Sequence, residues 1–159
     1  MNRFLLKTMV SVTLLNLALT LSAFAQTHNE LEQNCESGKT ISCALIAIRY
    51  KFGNGVSQDE SKAADFFQKA CDGGLFDICA QLGTIYRNGE GVLQDKFKAV
   101  ELFQNSCDRG SGLGCANLGL MYNLGEGVRQ DKSRALNLFG KACDLKNQFG
   151  CENYAKLKK

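Results

Sequence analysis

Eight cysteines stand in four pairs, Cys35/Cys43, Cys71/Cys79, Cys107/Cys115 and Cys143/Cys151, with an offset of 8 residues inside each pair and 36 from pair to pair. A constant offset on both scales describes one structural unit copied in tandem. A period between about 20 and 50 residues is the signature of a solenoid. Eight cysteines allow about 105 pairings in principle. A repeated unit most simply repeats its own bridge, so the expected bonds are the four intra-unit pairs.

Other positions recur with the cysteines. Gly53-Asn54-Gly55, Gly89-Glu90-Gly91 and Gly125-Glu126-Gly127 coincide, each followed by Val56, Val92 or Val128 and two residues later by Gln-Asp. Ala63, Ala99 and Ala135 align, as do Phe67, Phe103 and Phe139, and Tyr50, Tyr86 and Tyr122. Between Asp59 and Asp72 the apolar residues Ala63, Phe66, Phe67, Ala70 and Cys71 fall 3 and 4 apart, which is one face of a helix. Asp59 suits an N-cap. Gly73-Gly74 supplies a left-handed stop. A second helix is expected from about Asp77 to Asn88, burying Cys79, Leu82, Gly83, Ile85 and Tyr86. Glycine within that helix costs about 1 kcal/mol relative to alanine, so it is expected to admit a neighbouring backbone.

The turn and the cysteines explain each other. Residues 8 apart in one straight helix lie about 12 Å apart along its axis, whereas a disulfide spans at most about 7 Å between Cα atoms. The chain must therefore reverse between Cys71 and Cys79. Zinc ligands usually sit about 2 to 4 residues apart and redox motifs read C-x-x-C; neither spacing occurs, and His28 is the one histidine. No metal and no cofactor is expected.

The first 25 residues read as a secretory leader. Arg3 and Lys7 precede a mostly apolar run from Met9 to Leu21, and Ala23-Phe24-Ala25 forms a small-residue cleavage site before Gln26. Export to a periplasmic or extracellular space is the consequence, and it permits disulfides. The formal net charge of +3 falls to +1 without Arg3 and Lys7. There is no basic stripe, so nucleic acid is not an expected partner, and no further stretch is long enough to span a membrane. Residues 26–159 are expected to form one repeat domain of four helical hairpins. The first and last are modified as caps, with Leu31 at the phenylalanine register, and Tyr154 and Ala155 at the leucine and glycine registers.

The succession Leu-Gly-x-x-Tyr, Gly-x-Gly-Val and Ala-x-x-x-Phe-x-x-x-Cys resembles the Sel-one-like repeat, a relative of the tetratricopeptide repeat. The C-x₇-C bridge in each unit is similar to that of the Helicobacter cysteine-rich protein family. The residue after the loop valine, often proline in such repeats, is here Ser57, Leu93 or Arg129. The resemblance implies an all-α, right-handed α/α solenoid whose second helices line a concave surface. It also implies two functions of different kinds. One is binding of a peptide, a protein or a cell-wall fragment. The other is binding and slow hydrolysis of β-lactams.

No catalytic constellation supports the second. Ser-x-x-Lys, Ser-Asp-Asn and Lys-Thr-Gly are all absent. Asp72, Asp108 and Asp144 follow cysteines at exposed turns, and the aligned tyrosines are expected in the core. The expected binding stripe comprises Ala44, Ile48, Lys51 and Phe52, then Ala80, Thr84, Arg87 and Asn88, then Ala116, Leu120, Asn123 and Leu124. Within it Lys51, Arg87, Asn88 and Asn123 are the candidate ligand-binding residues, because amides bond a peptide backbone and cations hold a carboxylate.

Overall fold

The computed structural model describes residues 27–159, so the leader read from residues 1–25 lies outside the described residues. Eight α-helices are present among the described residues, without strands: α1 (His28–Glu36), α2 (Thr40–Phe52), α3 (Glu60–Asp72), α4 (Phe76–Asn88), α5 (Lys96–Asp108), α6 (Gly112–Leu124), α7 (Lys132–Asp144) and α8 (Gln148–Leu157). They form four hairpins of an A helix (α1, α3, α5, α7) and a B helix (α2, α4, α6, α8).

Each A helix starts on a side-chain cap. Asp59, Asp95 and Asp131 accept from the backbone N–H of Lys62, Lys98 and Arg134, and Thr27 forms a capping box with Glu30. The short A-to-B turn is crossed by the disulfides Cys35–Cys43, Cys71–Cys79, Cys107–Cys115 and Cys143–Cys151, with Cα atoms 4.4–4.7 Å apart. The left-handed residue of this turn is Gly74 at φ 94°, not Gly73, which caps α3 with φ −76°. Gly38 and Gly110 occupy the same register, but in the fourth hairpin the residue is Lys146 at φ 64°. A side chain in that conformation costs about 1–2 kcal/mol. Lys146→Gly should therefore raise stability by about 1 kcal/mol in urea unfolding.

The B-to-A loop uses its two glycines differently. Gly53, Gly89 and Gly125 cap the B helices in the left-handed conformation. Gly91 and Gly127 press against the start of the preceding hairpin's A helix, where a methyl on Gly91 would lie 2.5 Å from Ser61 N. The loop closes through Asp59, Asp95 and Asp131, whose N–H groups bond the carbonyls of Tyr50, Tyr86 and Tyr122 at 2.8–2.9 Å.

The B helices α2, α4 and α6 each pack most extensively against the next A helix. The glycine inside the B helix admits a ring there rather than a backbone: a methyl on Gly83 would sit 2.6 Å from Phe103, and one on Gly119 3.0 Å from Phe139. Phe67, Phe103 and Phe139 are fully buried, and Leu31 fills their place in the first hairpin. The tyrosines are less deep than expected. Tyr50 is buried, but Tyr86 and Tyr122 are half-buried, and each ring lies under a cation of the next A helix, Lys62, Lys98 or Arg134. From the second hairpin onward successive B helices also touch one another, while no two A helices make comparable contact. The B helices therefore form the inner layer of an α/α solenoid with one disulfide per hairpin.

Candidate functional site

The B helices have A helices on one side, so their opposite side is open. On α4 the buried residues are Cys79, Ala80, Leu82, Gly83 and Ile85. This leaves Asp77, Gln81, Thr84 and Asn88, 3 or 4 residues apart, along the open face. The corresponding face of α2 carries Ile41, Leu45, Ile48 and Phe52; that of α6 carries Leu113, Asn117, Leu120 and Leu124. Ile41, Leu45, Phe52 and Leu124 are 68%, 43%, 64% and 51% exposed. Contrary to the expected stripe, Ala44, Ala80 and Ala116 are buried in the core and provide no floor to it.

The candidate cations have partners within the solenoid. Lys51 Nζ donates to Glu90 Oε2 at 3.3 Å, and Arg87 Nε donates to Glu126 Oε2 at 2.8 Å. Each pair joins a B helix to the glycine loop of the next repeat. Asn88 Nδ2 donates to Glu90 Oε1 at 2.7 Å, and Lys96 Nζ to Glu126 Oε1 at 3.1 Å. The glutamate register holds Asn54 in the first loop, and the cation register holds Asn123 in α6. Both are neutral, and in both cases the described solenoid has no further unit to supply a partner. Asn123 receives a bond on its backbone carbonyl from Gln130 at 2.7 Å; its side chain makes no bond to the described residues. The sequence expectation assigns no part to Glu90 and Glu126; their position between paired glycines one unit downstream is the signal that could have marked them.

Hydrogen bonds from Arg87, then Lys96, hold the Glu126 carboxyl below the usual carboxylate range. The bond from Asn88, and with it that from Lys51, does the same for Glu90. A carboxyl with a lowered folded pKa adds stability above its unfolded value of about 4.3, and this is lost as pH falls through the folded value. The pairs are partly exposed, so each contributes about 0.5 kcal/mol. Glu126→Gln removes two such pairs, with Arg87 and with Lys96, so it should cost about 1 kcal/mol at pH 7 in urea unfolding, and the difference should vanish at acid pH once Glu126 is protonated.

A third set shares one register: Gln81 on α4, Asn117 on α6 and Asn153 on α8. Gln81 and Asn117 make no side-chain hydrogen bond to the described residues. Asn153 Nδ2 donates to the Phe149 carbonyl at 2.8 Å. No group of histidine, cysteine and carboxylate side chains able to hold a metal ion occurs among the described residues.

The Sel1 repeat family model matches residues 40–75, 79–111 and 112–147, each match opening on a B helix and running into the next A helix. The chain is a Sel1-repeat protein. It is similar to the crystal structure of a Sel1 repeat protein from Oxalobacter formigenes, at 27% identity and TM-score 0.71, over 80% of this chain and 96% of that one. It also resembles c5321, a protective antigen present in uropathogenic Escherichia coli strains, at 31% identity and TM-score 0.73, over 77% of this chain but only 26% of that one. Helicobacter pylori cysteine rich protein B aligns over 80% of this chain and 97% of its own, at 26% identity and TM-score 0.60. No curated protein matches this Sel1-repeat chain significantly by sequence.

Proposed function

We propose that this protein is an exported scaffold that binds a polypeptide on the open face of its B helices. The observation that carries this reading is the exposure of Phe52, Ile41 and Leu124 on a helical face that no other element covers. Large apolar side chains standing open beside amides suit a partner with both backbone and side chains to offer. The four disulfides support an oxidising compartment, and the leader read from residues 1–25 supports export. No described helix is long and apolar enough to cross a membrane.

Asn88 contributes an amide on that face; Asn123, Lys51 and Arg87, one residue before Leu124, Phe52 and Asn88, border it, and the two cations contribute whatever donors their glutamate pairs leave free. Purified mature protein should show saturable binding in a peptide-array screen. Phe52→Ser with Asn123→Ala should weaken it at least tenfold without lowering the melting temperature. Turnover of a chromogenic β-lactam without peptide binding would overturn the proposal in favour of hydrolysis. Binding that responds only to changes at Lys62 or Lys98 on the A helices would move the site off this face. Binding of muropeptides alone would replace the polypeptide by a cell-wall fragment.

A further inference from the structure

A cleft of about 410 Å³ lies between the tips of the second and third hairpins, lined by residues 74–78 and 109–111. Two of these residues depart from the repeat. Asp77 interrupts a register that is otherwise apolar, with Ile41, Leu113 and Phe149. Arg109 brings the one charge to a register that otherwise holds Ser37, Gly73 and Leu145. Packing that repeats from hairpin to hairpin therefore asks for neither residue, and the fold brings both to one cleft.

Bonds between the hairpins hold this cleft in shape. Ser111 Oγ donates to Asp77 Oδ1 and itself accepts from the Gly114 N–H. Ser106 Oγ donates to the Phe76 carbonyl. The Arg109 guanidinium lies over the Phe76 ring, 5.1 Å from its centre, an arrangement that orients the cation. What remains is charge of both signs without a partner. Asp77 Oδ2 makes no hydrogen bond or ion pair with the described residues, and neither does the Arg109 guanidinium. The two do not pair with each other. Asp108, the chain neighbour of Arg109, accepts from Gln104 Nε2 at 2.9 Å instead. Leu75 and Ile78, both half-buried, add apolar wall to the same cleft.

These groups select a ligand. A simple ion would answer one charge and leave the other open. The interior of a peptide carries no backbone charge, and its two termini are distant from each other. An α-amino acid carries an ammonium, a carboxylate and a side chain on a single carbon. We propose that this cleft binds a free amino acid with an apolar side chain. Asp77 Oδ2 accepts from the ammonium, Arg109 holds the carboxylate through two parallel N–H groups, and Leu75 with Ile78 receives the side chain. The volume falls within the range of about 300–1,000 Å³ found for small-molecule sites. The cleft between the first and second tips has a similar volume, about 420 Å³. There Thr40 and Gly73 take the places of Phe76 and Arg109, and Lys69 faces two carboxylates, Glu36 and Asp72. It lacks both the guanidinium and the ring, and so serves as an internal control.

The test is an NMR titration of the mature, oxidised, nitrogen-15-labelled protein with leucine, isoleucine, methionine and phenylalanine. At least one should bind saturably with a Kd below about 1 mM, and the shift changes should centre on residues 74–78 and 109–111. Its N-acetyl derivative lacks the ammonium and its amide lacks the carboxylate, so each should bind at least tenfold more weakly. Asp77→Asn, which keeps an acceptor for Ser111, and Arg109→Gln should each weaken the amino acid at least tenfold at an unchanged melting temperature. Each loss should be specific to one group: Asp77→Asn should leave the N-acetyl derivative unaffected, and Arg109→Gln should leave the amide unaffected. Lys69→Gln in the control cleft should change nothing. The proposal is overturned if none of the four amino acids binds at about 10 mM, if the derivatives bind as well as the parent, if neither variant alters binding, or if the shift changes centre elsewhere.

Discussion

Mild reductant should open Cys143–Cys151 first and leave the other three bonds intact. Thiol–disulfide exchange requires a thiolate to reach sulfur. Cys143 and Cys151 are half-buried at the C-terminal end of the array, whereas Cys35, Cys43, Cys71, Cys79, Cys107 and Cys115 are all buried. The three buried bonds should react only when a hairpin opens. Each closes a loop worth about 2.5 kcal/mol in the chain-entropy model, so four approach about 10 kcal/mol as an upper bound. A typical domain has only about 5–15 kcal/mol in total. Opening the first bond should lower the melting temperature by about 10 °C, at about 4 °C per kcal/mol. Opening all four should bring the array to the edge of unfolding. Timed alkylation with peptide mapping reads the order, and parallel melts read the cost. Simultaneous labelling of all eight cysteines, or a bridge between hairpins, would overturn the assignment.

The fold is legible in the sequence because each rule acts within one unit. A cysteine offset of 8 forces a reversal, Asp59 caps the helix that it precedes, and apolar spacings of 3 and 4 define each buried face. The features that stay obscure arise between units. Gly83 alone does not say whether a backbone or the Phe103 ring will fill its space, because that depends on how α4 and α5 meet. Lys51 and Arg87 look like free cations until the glycine loop of the next repeat brings Glu90 and Glu126 beside them. Ala80 looks like open floor on a helical wheel, which does not show how wide the contact with the neighbouring helices is. The candidate site shares this weakness. The apolar residues Phe52 and Leu124 are legible on the open face, but Asp77 and Arg109 belong to one cleft only once the second and third hairpin tips lie side by side.

Phe103→Ala should cut the solenoid near its middle. Most of the buried residues fall into two clusters, with Ala135 and Phe139 outside both. One runs from Leu31 to Ile85, and the other contains Ala80, Ala99, Phe103, Cys107 and Cys115; Tyr86 packs against both. The two clusters meet across the α4–α5 contact, where Ala80 of α4 belongs to the second, Leu102 of α5 packs against the first, and the Phe103 ring occupies the space left by Gly83. Truncating a fully buried phenylalanine costs about 3–5 kcal/mol, partly through the cavity it leaves. Because Gly83 has no side chain to lean into that cavity, the loss should lie near about 4 kcal/mol. Leu93→Ala, at a position 91% exposed in the adjoining loop, should cost less than about 0.5 kcal/mol. Stability in a repeat array is a sum of unit and nearest-neighbour terms, so weakening one interface should also divide the transition. Urea unfolding of Phe103→Ala should show two steps or a reduced m-value, with hydrogen exchange faster in α5 to α8 than in α1 to α4, where Tyr50, Phe66 and Phe67 remain packed. A single transition with the parent m-value would mean that the eight helices cooperate across the seam without the ring, and a loss under about 1 kcal/mol would mean that the cavity closes by collapse of α5 onto α4.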